Sequence, residues 1–302
     1  MTTQKPQGAS SLGISHALYP FGAHYHEIAA DVRMHYIDEG QGDPVVMVHG
    51  NPSWSFYYRN LVNALSPTHR TIVPDHIGCG LSDKPDDAHY NYTLSQRVED
   101  LESLLESLGI RENITLIVHD WGGMIGMTYA THYPERIKRL VIMNTAAFHL
   151  PSAKSFPLPL RLARDSSVGS LLISHFNAFS RSAAKVCVSE PMPPEVAHAY
   201  TAPYNSPENR IATLRFVQDI PLQPSDRAYA LVSETEQKLP TLAHLPILIC
   251  WGGKDFVFDR HFLARWREIY PLAKVVEFDE AGHYVLEDRA EEIEALVKEF
   301  LG

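Results

Sequence analysis

The chain has 302 residues, 45% of them hydrophobic and 21% charged, with a formal net charge of −10. That length exceeds one minimal core and points to a domain of about 200 to 250 residues carrying an insertion, or to two domains. The acidic balance argues against a general nucleic-acid or anionic-membrane surface while leaving room for a local basic patch, and no run of about 18 apolar residues suggests a membrane span.

In chain order, the opening "MTTQKPQGASSLGIS" has no apolar stretch of the kind a secretion signal needs, and residues 1–15 read as a mobile lead. The histidines of "HYHE", at His24 and His26, do not form an HExxH metal motif and fit early strand or turn better. "HEIAADVRMHYIDEG" reads as a hairpin that opens a sheet. "PVVMVHG", "RTIVPDHIG", "NITLIVHD", "KRLVIMNT", "LPILICWGG" and "KVVEFDEAGH" are short β-branched or apolar runs that end in turn or polar residues. Helical patterns at Leu94 to Leu108, Gly122 to His132, His261 to Ile269 and Glu287 to Leu301 fall between or after them. This alternation predicts a mostly parallel sheet flanked by helices. From about Phe148 to Ser225 there is no strand signal, many prolines and several short helical pieces, which predicts an inserted helical cap. The expected division is core over 1–146, cap over 147–225 and core again over 226–302. Cys79, Cys187 and Cys250 are odd in number and widely spaced, as expected of reduced core or turn thiols in a cytoplasmic protein.

Polar residues gather at the ends of the predicted strands, where open α/β sheets hold their sites. One strand ends in His49, Gly50, Asn51 and Pro52, and the next central one in "HDWGG" with Asp120 and Trp121. "CWGGKDFVFD" then supplies Asp255 and Asp259, and "FDEAGHYV" supplies His283. The order nucleophile, acid, histidine is that of the α/β-hydrolases. Each residue also has a plainer reading. Asp120 could cap the helix that follows it, His283 could sit in a surface turn, and Asp255 and Asp259 compete for the acid. Asp255 is favoured because it directly follows the Gly-Gly-Lys turn. Asn144, at the strand end before the cap, cannot balance an imidazolium charge.

The elbow departs from the serine pattern, with Val118 in place of the first glycine and Asp120 in place of the serine. In this, and in "HGNPSWSFYYRNLV", "PDHIGCGLSDKP", "VHDWGGMIGMTYA" and "GHYVLED", nearly the whole chain from Ala23 resembles the haloalkane dehalogenase and epoxide hydrolase branch of the α/β-hydrolases. The resemblance implies an α/β-hydrolase fold with a helical cap and no cofactor. It makes Asp120 the nucleophile, Asp255 and His283 its partners, and Asn51 and Trp121 the donors for a departing anion. A carboxylate can displace a leaving group from saturated carbon and form an alkyl ester, which a serine does less readily.

With Asn51 as the second donor and no tryptophan in the cap, and with "ICWGGKDFVFD", the chain is most similar to the cis-β-lactone decarboxylases of bacterial long-chain olefin biosynthesis. The resemblance implies conversion of a cis-3-alkyl-4-alkyl-oxetan-2-one to a cis-alkene and carbon dioxide, with attack on either the saturated ring carbon or the carbonyl. It further implies a small apolar substrate, no nucleic acid, no transmembrane segment and an assembly with other olefin-forming enzymes. The apolar cap segments suit a channel for alkyl chains as well as cap packing. A haloalkane dehalogenase would use the same five residues. An epoxide hydrolase would need cap tyrosines, for which Tyr200 and Tyr204 are available, and a non-catalytic receptor would have no need of an intact triad.

Overall fold

The computed structural model describes residues 8–302. Of the expected mobile lead, residues 1–7 lie outside the described residues. In the rest, Ala9–Leu12 forms a short 3₁₀ turn; Ala9 and Ile14 are buried, and Ser10, Ser11, Gly13 and Ser15 are exposed.

Eight strands form one sheet: β1 (His24–Ala29), β2 (Val32–Glu39), β3 (Pro44–Val48), β4 (Arg70–Pro74), β5 (Ile114–Asp120), β6 (Ile137–Thr145), β7 (Ile247–Gly252) and β8 (Lys274–Phe278). Their spatial order is β1-β2-β4-β3-β5-β6-β7-β8. β1 and β2 pair antiparallel, β2 runs antiparallel to β4, and every later neighbour is parallel. The expected opening hairpin is therefore β1–β2. β5 is buried along its whole length, as a central parallel strand covered on both faces must be.

The helices are α1 (Arg59–Leu65), α2 (Leu94–Ser107), α3 (Trp121–His132), α4 (Leu158–Asp165), α5 (Ser167–Phe176), α6 (Ala178–Val186), α7 (Pro194–Thr201), α8 (Ile211–Gln218), α9 (Tyr229–Lys238), α10 (Arg260–Ile269), α11 (Val285–Asp288) and α12 (Ala290–Leu301). Two large apolar clusters form the core. One holds Val46, Val48 and Leu116 with Leu101, Ile125 and Trp266 from the helices. The other holds Val45, Met47 and Ile117 with Leu61, Ile293 and Val297. Adjacent strand residues thus send alternate side chains into different clusters, as the pleat requires.

α4 to α8 lie between β6 and β7 and form the inserted helical region, with no strand among them. α9 instead packs on the core helix α3, where Thr128 and Thr235 hydroxyls meet at 2.9 Å. The last helical pattern, expected as one helix from Glu287 to Leu301, is two, broken at Arg289. Just before the break the Asp288 carboxylate accepts the N–H groups of Gly282 and Ser189, which ties that turn to the loop bearing His283.

Candidate active site

β5 ends at Asp120, and α3 begins at the next residue. The turn between them gives Asp120 φ 51° and ψ −127°, a conformation that costs a non-glycine residue about 1–3 kcal/mol and persists only where the surroundings enforce it. Close packing enforces it here. A Cβ on Gly122 would collide with the Val48 carbonyl, and one on Gly50 would collide with the Asp120 carboxylate itself. The Thr145 hydroxyl donates to the Asp120 carbonyl from the neighbouring strand. The side chain makes no capping bond to α3, so helix capping does not account for this aspartate.

The backbone N–H of Asn51 donates to Asp120 Oδ1 at 2.6 Å, and the N–H of Trp121, next in the chain, also favours the ionised carboxylate. Burial pushes the Asp120 carboxyl above its ordinary value, against the opposing pull of His283 and these two N–H groups. His283 Nε2 lies 3.7 Å from Asp120 Oδ2, and its Nδ1 donates to Asp255 Oδ2 at 2.8 Å. Burial works to lower the imidazole's pKa; the charges of Asp255 and Asp120 outweigh it, and the net shift is upward.

Asp255 is buried and fully satisfied. Its Oδ1 accepts the N–H groups of Val257 at 2.7 Å and Phe258 at 3.1 Å, and its Oδ2 accepts His283 and, at 3.0 Å, Asn144 Nδ2. Asp259, the competing acid, lies elsewhere: it caps α10 through the His261 N–H and pairs with Lys154 at 2.7 Å.

Asn51 and Trp121 both line a cavity of about 520 Å³ between the core and the helical insertion, and so do Asp120 and His283. The Asn51 amide donates one hydrogen to the Thr213 carbonyl of α8 at 3.1 Å, leaving its second for a ligand. The Trp121 indole N–H donates to no described residue; its ring rests on Phe216 with centroids 5.3 Å apart. Behind Asn51, His49 Nδ1 bonds the Gly50 carbonyl at 2.7 Å and its Nε2 accepts the His76 N–H at 3.2 Å, so two buried histidines hold this loop in place. Burial keeps both below their ordinary pKa, which suits neutral, structural imidazoles. The remaining cavity wall is almost entirely apolar, mostly Leu, Ile, Val, Phe and Pro side chains such as Leu160, Ile173, Phe179 and Val217.

All five expected site residues therefore converge. Three contributors were not anticipated. Asn144, unsuited to the acid role, clamps the acid loop, taking the Gly252 N–H at 2.7 Å on Oδ1 and giving Nδ2 to both the Gly252 carbonyl and Asp255. His119, next to the nucleophile, bonds the His283 carbonyl at 2.8 Å through Nε2. Thr213 acts through its backbone carbonyl, which no residue-type signal could reveal. A polar residue at a strand end was the available clue for Asn144 and His119.

The cap tyrosines lie outside the cavity wall. Tyr200 bonds Glu287 and Tyr204 donates to the Ser53 carbonyl at 3.2 Å, both buried away from Asp120. The phenolic acid that epoxide opening requires is thus missing from this site. Cys79, Cys187 and Cys250 are free and buried, as expected of core thiols.

A strained carboxylate elbow, a histidine and acid from the next strand ends, and a covering helical insertion define a capped α/β-hydrolase. The chain belongs to that family: the alpha/beta hydrolase fold profile matches residues 43–290. Within it, the chain is 61% identical to the cis-3-alkyl-4-alkyloxetan-2-one decarboxylase of Shewanella oneidensis, over 94% of this chain and 89% of that protein. It is 50% identical to the enzyme of the same name from Xanthomonas campestris, over 94% and 97%. Among solved structures it is similar to the haloalkane dehalogenase DbeA from Bradyrhizobium elkani, at 26% identity and TM-score 0.82, covering 93% of this chain and 98% of that one. The protein is an enzyme.

Proposed function

We propose that this protein is a cis-3-alkyl-4-alkyloxetan-2-one decarboxylase, and that Asp120 opens the lactone by displacement at the saturated ring carbon that bears oxygen. Likeness to two decarboxylases over nearly their whole length supports the substrate class. The observation that carries the chemistry is the occupant of the Asn51 backbone N–H. That N–H already holds the nucleophile's own carboxylate, so a carbonyl-derived oxyanion would have to evict it. The free donors are the Asn51 side-chain N–H and the Trp121 indole N–H, and both residues line the cavity.

On this route an Asp120 oxygen bonds to the ring carbon as its C–O bond breaks, and Asn51 and Trp121 take the carboxylate so released. The carbon–carbon bond to that carboxylate then breaks and carbon dioxide leaves. Its electron pair forms the alkene as the ester bond to Asp120 breaks, regenerating the nucleophile. Inversion in the first step followed by anti elimination in the second preserves cis geometry. Neither step consumes water or moves a proton, so His283 serves as a held cation beside Asp120. The apolar cavity suits the alkyl chains. The product on this reading is a long-chain cis-alkene, and we read the protein as a cytoplasmic enzyme of olefin biosynthesis that works beside the enzymes supplying its lactone.

The test is product analysis. A synthetic cis-3,4-dialkyl β-lactone should yield cis-alkene and carbon dioxide one to one. In heavy-oxygen water, Asp120 should remain unlabelled through many turnovers. Rapid bromide release from a bromoalkane with no alkene from the lactone would move the function to dehalogenation.

A further inference from the structure

Among the described residues nine large hydrophobic side chains are exposed, and seven of them sit on the three consecutive helices α4, α5 and α6. Leu158 is 76% exposed, Phe176 61% and Leu171 50%. Single exposed leucines need no explanation, but a cluster of this size on adjoining helices does. The cluster adjoins the cavity. Leu162, Leu172, Val186 and, from the loop after β7, Phe256 both line the cavity and face solvent, so they form its mouth.

The charge on the same helices runs against the rest of the chain. α4 to α6 carry four cations and one carboxylate, in a protein of net charge −10. Arg164 is committed to Asp165 and Asp226, whereas the exposed Arg161, Arg181 and Lys185 pair with no described carboxylate. Arg161 lies one turn from Leu158, and Lys185 is beside Val186. Apolar side chains set among unpaired cations are the pattern of a surface that rests in the headgroup region of an anionic bilayer. The protein's overall negative charge opposes this only weakly, because salt screens charges more than about 8–10 Å from the lipid.

We propose that the α4–α6 face docks on the surface of an anionic phospholipid bilayer and sets the mouth of the catalytic cavity against the acyl layer. Apolar substrate and product then pass between bilayer and cavity without crossing water. This inference concerns the surface alone and does not depend on which bond Asp120 breaks.

The experiment is flotation of the purified full chain with vesicles, without substrate. One set contains equal parts phosphatidylglycerol and phosphatidylcholine, the other phosphatidylcholine alone. The wild type should float with the anionic vesicles and bind the neutral ones far more weakly. Replacing Arg161, Arg181 and Lys185 together by Gln should weaken anionic binding by about 100-fold, at about fivefold for each cation near the surface. Replacing Leu158, Leu171 and Phe176 together by Glu should abolish flotation. None of these six residues lines the cavity, so turnover of a short-chain, water-soluble β-lactone and the thermal midpoint should match wild type in both triple variants. Wild type that stays at the bottom of the gradient with both vesicle sets would overturn the proposal, as would triple variants that float like wild type. Self-association that the Glu variant abolishes, with no flotation, would overturn it in favour of a contact between copies. Failure of the decarboxylation reading would appear only in the turnover assays.

Discussion

Asp255→Asn separates the two kinds of chemistry that this site could run. Four donors point at the carboxylate: the N–H groups of Val257 and Phe258 at one oxygen, and His283 Nδ1 and Asn144 Nδ2 at the other. An amide has one oxygen, so either orientation sets its NH₂ against two donors. If the oxygen stays with the backbone pair, the NH₂ faces His283 and Asn144. Asn144 cannot turn to accommodate it, because Gly252 engages both ends of its amide. His283 must then accept at Nδ1 and carry its proton on Nε2, facing Asp120. That is the wrong tautomer for a base that draws a proton from water, an error worth on the order of 10⁴-fold in related triads.

Olefin formation by displacement and elimination moves no proton through His283. It should lose only the charge-assisted bond that orients the ring and keeps it protonated, about 1.5–3 kcal/mol, or roughly 10- to 150-fold at most. The assay pairs two substrates on one variant. With a 1-bromoalkane, intact mass after rapid quench should show an alkyl ester accumulating on Asp120. With a cis-β-lactone, gas chromatography should show alkene forming within that smaller deficit. Ester cleavage within tenfold of wild type would sink the tautomer argument. An alkene rate that falls by 10⁴ as well would show that His283 transfers a proton during the lactone reaction, and the route proposed here would fail.

The residues legible in the sequence are those whose role follows from position at a strand end. Asp120, Asp255 and His283 each terminate an apolar run, and parallel strands place such ends side by side whatever the packing details. The side-chain donors were legible only by resemblance, since Asn51 and Trp121 differ from a turn residue and a packing residue in what lies opposite them. Asn144 was read by its inability to hold charge, while its function comes from pairing with both edges of Gly252, more than a hundred residues away. Helix starts in the insertion were partly visible: prolines stand at the first turns of α4 and α7, where a missing N–H costs nothing. α1 escaped because it is short, and α9 because its apolar face becomes apparent only against the neighbours it covers. The cation-bearing apolar face of α4–α6 was legible as composition, but only the fold shows that the cavity opens within it.

Asp120→Asn should reduce alkene formation by several orders of magnitude while the thermal midpoint stays at or above that of wild type, because the amide keeps the shape and no longer buries a charge. Calorimetry beside a product assay checks both, and a large loss of stability would make Asp120 a structural residue. Asn51→Ala and Trp121→Phe should each slow turnover by about 10- to 1,000-fold, the scale for loss of one preorganised donor. Unchanged single-turnover rates would remove them from anion binding. Asn144→Ala should lower stability as well as rate, since it orphans the buried N–H of Gly252 at about 1–3 kcal/mol; denaturant titration that finds no change would contradict the clamp. The pH profiles should differ between substrates. Attack needs ionised Asp120, whose carboxyl is pushed up by burial, so alkene formation should fall on the acid side at a pH above the ordinary carboxylate range. Ester hydrolysis needs neutral His283 as well, and the charges of Asp255 and Asp120 hold that imidazole protonated to higher pH than usual. Below its pKa the proton-bound ring cannot act as a base, so the hydrolytic rate should rise with pH through that ionisation, whereas alkene formation, which is served by the protonated ring, should not. Coincident profiles for the bromoalkane and the lactone would mean that one ionisation governs both reactions, and that His283 does more in the lactone reaction than hold a charge.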